Sequence, residues 1–87
     1  MTPEWRHVIR IGDVWRNDDL SLRVKAHEIG TRLRRIPFSD DHLEDMVEEL
    51  IDAGTEGDVE WFDAVWGAIY DWADDERVWI DTHEASA

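Results

Sequence analysis

Nothing but side-chain packing can hold this chain together: its 87 residues contain no cysteine, so disulfides, thiolate metal sites and cysteine nucleophiles are excluded at once. A chain of this length buries a modest share of its surface on folding, so each large apolar side chain carries weight. Six of them are tryptophans, and each can bury roughly 150–250 Å2. The expectation is one domain, residues 1–87, with tryptophan dominating its core. A small secreted domain without staples is unusual, so the missing cysteines favour a reducing cytoplasm. The N-terminal Met1-Thr2-Pro3-Glu4-Trp5 lacks the apolar stretch of a signal peptide. No apolar run approaches a membrane span, and no membrane association is expected.

Charge is distributed unevenly. Residues 1–37 hold eight Arg and Lys against five acids, a net +3, whereas residues 38–87 hold one Arg against 17 acids, a net −16. An acidic half of this strength is repelled by nucleic acid and drawn to basic partners.

Periodicity supplies the elements. Trp5, His7, Ile9 and Ile11 alternate with Arg6, Val8 and Arg10 as in a strand, and Gly12-Asp13 has the form of a two-residue hairpin turn before Val14-Trp15. A first helix is expected from about Asn17-Asp18-Asp19, with Leu22, Ala26, Ile29, Leu33 and Ile36 on one face and Pro37 ending it. A second begins at Ser39 as N-cap, places Leu43, Met46, Val47, Leu50 and Ile51 on a stripe, and stops at Gly54. A third follows Asp58, with Val59, Phe62, Trp66, Ile69, Tyr70 and Ala73 on one arc and Trp61, Val65, Ala68 and Trp72 widening it on one side. Asp74-Asp75-Glu76 oppose the dipole at its end, which predicts fraying or a cap by Arg77. Arg77 to Asp81 has the look of a last strand. The predicted fold is α+β: a three-helix core closed by a small antiparallel sheet of N- and C-terminal strands.

The run Tyr70-Asp71-Trp72-Ala73-Asp74, followed by Arg77-Val78-Trp79-Ile80-Asp81-Thr82, resembles the C-terminal part of small accessory proteins of phages that infect mycobacteria and related actinobacteria. The likeness covers residues 61–82. It implies an accessory factor acting in the host cytoplasm by binding a host protein, and it carries over no functional residues.

Chemistry-bearing constellations are few. The twelve residues from Asp52 to Asp63 place Asp52, Glu56, Gly57 and Glu60 at positions 1, 5, 6 and 9 of an EF-hand loop, but Gly54 at position 3 offers no ligand and Asp63 replaces the bidentate Glu. A helix stop and a new cap explain the same residues. His42 and Asp45 share a helix side yet make half a zinc site, so no metal or cofactor is expected. No phosphate loop, nucleophile elbow or Ser–His pairing is present, and the chain is read as non-enzymatic. A helix–turn–helix would put Glu60, Asp63, Asp71 and Asp74 against phosphates, which argues against direct nucleic-acid binding. Arg23, His27, Gly30 and Arg34 make a basic face on the first helix, which either is solvated or neutralises acids within the fold.

Two features point to partner binding. Off the apolar stripe of the second helix nearly every position is acidic, Glu44, Asp45, Glu48 and Glu49 among them. Such rows repel themselves, so a basic partner surface or imitation of a phosphate backbone explains their retention. The strip of Trp61, Val65 and Trp72 is either an interface centre or covered by the terminal strands that carry Trp5, Trp15 and Trp79. The functional expectation is a protein-binding module for a host protein. The alternatives are a DNA-mimic inhibitor and a homodimer formed through the tryptophan strip.

Overall fold

A computed structural model describes residues 4–38 and 40–82. The elements run β1 (His7–Arg10), α1 (Gly12–Trp15), α2 (Leu22–Arg34), α3 (Asp41–Glu56), α4 (Val59–Glu76) and β2 (Val78–Asp81). Three long helices and a two-stranded sheet enclose a single apolar cluster. Into it α2 sends Ala26, Ile29 and Leu33; α3 sends Leu43, Met46, Val47 and Leu50; α4 sends Phe62, Trp66 and Ile69. The strands add Ile9, Val78 and Ile80. The helical stripes expected from period 3.6 are therefore largely the buried faces, except that Val59 and Tyr70 of the expected α4 arc are 60% and 40% exposed.

The sheet is parallel, with His7 opposite Val78 and Ile9 opposite Ile80, not antiparallel as expected. Parallel strands need a crossover rather than a hairpin, and here the helices supply it. Short connections reverse the chain between long elements. Three long helices between the strands give an even number of reversals, so β2 returns in the direction of β1.

Gly12-Asp13 is the second correction. No hairpin forms: the amides of Val14 and Trp15 both donate to the Ile11 carbonyl, starting the single turn α1, while the Ile11 amide is taken by Asp81 O at 2.9 Å. That turn delivers Trp15 onto Trp66, stacked at 4.8 Å between ring centroids.

Caps shift as well. Asn17 accepts the Asp19 amide in a local turn, and α2 starts later, with the Ser21 hydroxyl accepting the Val24 amide. Asp40 caps α3 through the Leu43 amide at 2.9 Å. Ser39 and the tail from 83 lie outside the described residues. Gly54 does not stop α3. The helix runs on to Glu56, and Gly57, at φ 69°, supplies the left-handed cap. Arg77 caps α4 as expected, at φ 59°.

Among the described residues Asp13 and Arg32 form the one bidentate Arg–carboxylate ion pair that ties α1 to α2, at 2.6 and 2.9 Å. The same guanidinium also donates to Arg10 O. This hydrogen-bonded partner holds the Asp13 carboxyl below the usual carboxylate range. Because its folded value lies under the unfolded one of about 3.9, the pair's stabilisation is fully present above that pH and fades as pH falls through the lowered value. Asp13→Asn should cost up to about 1 kcal/mol at pH 7, since Asp13 is largely exposed. In urea titrations the difference from the parent should shrink as pH is lowered below about 3.9.

Candidate functional site

The expected tryptophan strip is divided by the fold. Val65 and Trp72 are 4% and 7% exposed and belong to the core, so neither can be a contact for a partner, nor can the strip serve as a homodimer seam. Both belong to the core cluster that also holds the strands' Val78 and Ile80, so these two side chains are buried. The indole N–H groups of Trp66 and Trp72 find no hydrogen-bond partner among the described residues. Trp61 differs. It is half-buried at the N-terminal turn of α4, and its Nε1–H donates to Glu49 Oε1 of α3 at 3.1 Å.

That contact marks a seam between two helices that carry no Lys or Arg: from Asp40 to Glu76 every formally charged side chain is acidic. At the seam Trp61 walls an open cleft of about 520 Å3 together with Asp52, Thr55, Glu56 and Asp58. Asp58 is partly committed, since its carboxylate accepts the Trp61 amide as the α4 cap at 3.0 Å. Along α3, Asp41, Asp45, Glu48 and Asp52 are all exposed. Their spacing of 4, 3 and 4 residues puts them on one face, about 4.5–6 Å apart along the axis.

Of the acids singled out from sequence, Asp45, Glu48 and Glu49 thus stand on the free face, with Glu49 also holding Trp61. Glu44 is engaged within the fold by Arg34, at 2.8 Å. This pair also decides the fate of the basic face of α2. Arg34 neutralises an acid of α3, and Gly30 is buried against Val47 and Ile51. The EF-hand reading fails on geometry, because Asp52 to Glu56 are helical. Among the described residues no group of three His, Cys, Asp or Glu is placed to hold a metal ion, and no helix is long and apolar enough to cross a membrane.

Sequence reasoning missed a second surface. Trp5, Tyr70 and Trp79 are 36%, 40% and 43% exposed, although Tyr70 had been expected on the apolar arc of α4, and covering the α4 strip had been one of two alternatives for Trp5 and Trp79. Trp5 and Trp79 instead pack on each other, with centroids 5.2 Å apart. The cross-strand neighbours Val8 and Trp79 both point out of the sheet, and the strict alternation along β1 and β2 was the available signal.

Comparison with known proteins yields no matching family model, and no curated protein or solved structure matches the chain.

Proposed function

We propose that this protein is a non-enzymatic binding module for a basic surface on another protein, engaged by the α3–α4 seam. The observation that carries the reading is Trp61, held by Glu49 at the wall of a cleft otherwise lined by polar and acidic side chains. A half-buried indole supplies contact area at little entropic cost, as at interface hot spots. Surrounding carboxylates speed encounter with a cationic surface and reject acidic ones. An arginine or lysine entering the cleft would meet a ring face and carboxylates together. The likeness of residues 61–82 to phage accessory proteins makes a host protein the partner to seek.

The test is recovery of a partner from host lysate on immobilised protein, followed by titration of that partner. Trp61→Ala should weaken binding by roughly 30-fold or more, the loss of a hot spot of about 2 kcal/mol. Glu48→Gln with Asp52→Asn should mainly slow association and flatten its salt dependence. Binding untouched by Trp61→Ala would refute the reading.

A second reading, mimicry of a nucleic-acid backbone, draws on the row Asp41, Asp45, Glu48 and Asp52. It requires that duplex DNA compete for the partner and that affinity fall steeply with salt. In that case the carboxylate changes, and not Trp61→Ala, would abolish binding.

A further inference from the structure

At the far end of α4, about 20 Å from Trp61 by the rise of the helix, a second cleft opens beside the sheet. Its volume is about 230 Å3, and three aromatic rings line it: Trp5, Tyr70 and Trp79. Val78 and Ile80 contribute apolar floor, and Asp74 contributes a carboxylate. We infer that this cleft is an aromatic cage for a quaternary or alkylated ammonium group.

Three arguments converge on that ligand chemistry. The first is the wall. Three rings that each remain more than a third exposed line one small cleft. Trp5 and Trp79 are packed on each other, and Tyr70 is set at a near-right angle to Trp66. The quadrupole of such an aromatic wall attracts a weakly hydrated cation. The second is the local charge. The last turn of α4 carries Asp74, Asp75 and Glu76 and no basic residue, at the end where the helix dipole already places about half a negative charge. Among the described residues only Glu76 of these three is answered by an ion pair, with Arg6 at 3.0 Å. Arg6 is itself committed there and over the Phe38 ring, at 4.0 Å. A cation in the cleft would offset repulsion that the fold leaves standing at Asp74. The third is size. The volume is below the roughly 300–1,000 Å3 of sites for drug-sized ligands, which fits one ammonium head and not a cofactor.

The head could come from a free molecule such as choline or from a methylated lysine side chain, and the chemistry of recognition is shared. The test follows the indole N–H resonances during titration with tetramethylammonium chloride at constant ionic strength. Saturable shifts of the Trp5 and Trp79 signals are expected, and they should be absent with the neutral isostere 3,3-dimethylbutan-1-ol. Trp79→Ala, at an exposed position, should weaken binding about tenfold or more while leaving the melting temperature close to the parent's. Asp74→Asn should weaken it severalfold and keep the rings in place, which separates charge from packing. A tighter dissociation constant for a trimethyllysine peptide than for choline would assign the source to a protein side chain, and parity would assign it to a free head group. Equal response to the neutral isostere, shifts that never saturate, or shifts confined to Trp61 would each overturn the cage.

Discussion

Gly54→Ala should destabilise the protein by about 1–2 kcal/mol, and Gly54→Val by more than about 3 kcal/mol, the opposite of what helix propensity alone would give. Gly54 lies inside α3, where alanine is ordinarily favoured over glycine by about 0.8–1.0 kcal/mol. A Cβ at this position would stand 2.7 Å from the Ala26 Cβ and 2.9 Å from the Leu22 carbonyl oxygen. Optimal carbon contacts lie near 3.5–4.0 Å. The obstacles are backbone and a methyl fixed to backbone, so relief requires moving all of α2. Overpacking of this sort typically costs 1–3 kcal/mol before any further branch is added. The control is Gly30, whose added methyl would meet side-chain methyls of Val47 and Ile51 at 3.0 and 3.4 Å, with no backbone of another element nearer. Gly30→Ala should be close to neutral. Urea unfolding followed by tryptophan fluorescence decides the matter, and a Gly54→Ala protein more stable than the parent would refute the close α2–α3 contact. Against a total stability of about 4–13 kcal/mol for a chain this long, the valine variant should populate the unfolded state measurably at 37 °C.

Ile80→Asp should have the larger effect. Ile80 is 5% exposed, lies opposite Ile9 in the sheet and shares the one core cluster with the helices. Losing the buried side chain removes about 1.5–3 kcal/mol of apolar transfer, and an unpaired carboxylate in the same place adds several kcal/mol. The expected result is a loss of more than about 4 kcal/mol with a single cooperative transition, because the strands do not form a separate unit. Burial raises the pKa of the new carboxyl, so the gap to the parent protein should narrow as pH is lowered and the group is neutralised. Ile80→Val, which keeps the shape, should cost only about 0.5–1.5 kcal/mol. Two separate transitions in Ile80→Asp would show instead that the sheet can leave the helices intact.

Much of this arrangement was legible before any coordinates. The stripe Leu43, Met46, Val47 and Leu50 faces inward because a period of 3.6 admits only one such face. Arg77 caps α4, where acids had made an unaided end unfavourable. What failed has a common cause: local patterns do not encode what comes to lie against them. Gly54 and Gly57 are both plausible stops in sequence, and only the approach of α2 makes the first a packing position. Strand direction depends on how many times the chain reverses, which no strand records in its own residues.

The candidate site follows the same division. The acidity of α3 is plain from sequence, whereas Trp61 and Trp72 belong to the same arc and differ only in what covers them. The cage could not have been read off a segment, since Trp5 and Tyr70 are 65 positions apart in the chain.

The pairing of β1 with β2 also has a meaning in time. His7 leaves the ribosome about 70 residues ahead of Val78, which at typical elongation rates is roughly 4–14 s. Throughout that interval the helices can find their near neighbours, while the apolar edge of β1 has nothing to hydrogen-bond. The nascent chain therefore lacks the strand that pairs with β1 until translation has passed Asp81. A stall or truncation before that point leaves a product with an open strand, the kind of species that chaperones and proteases collect.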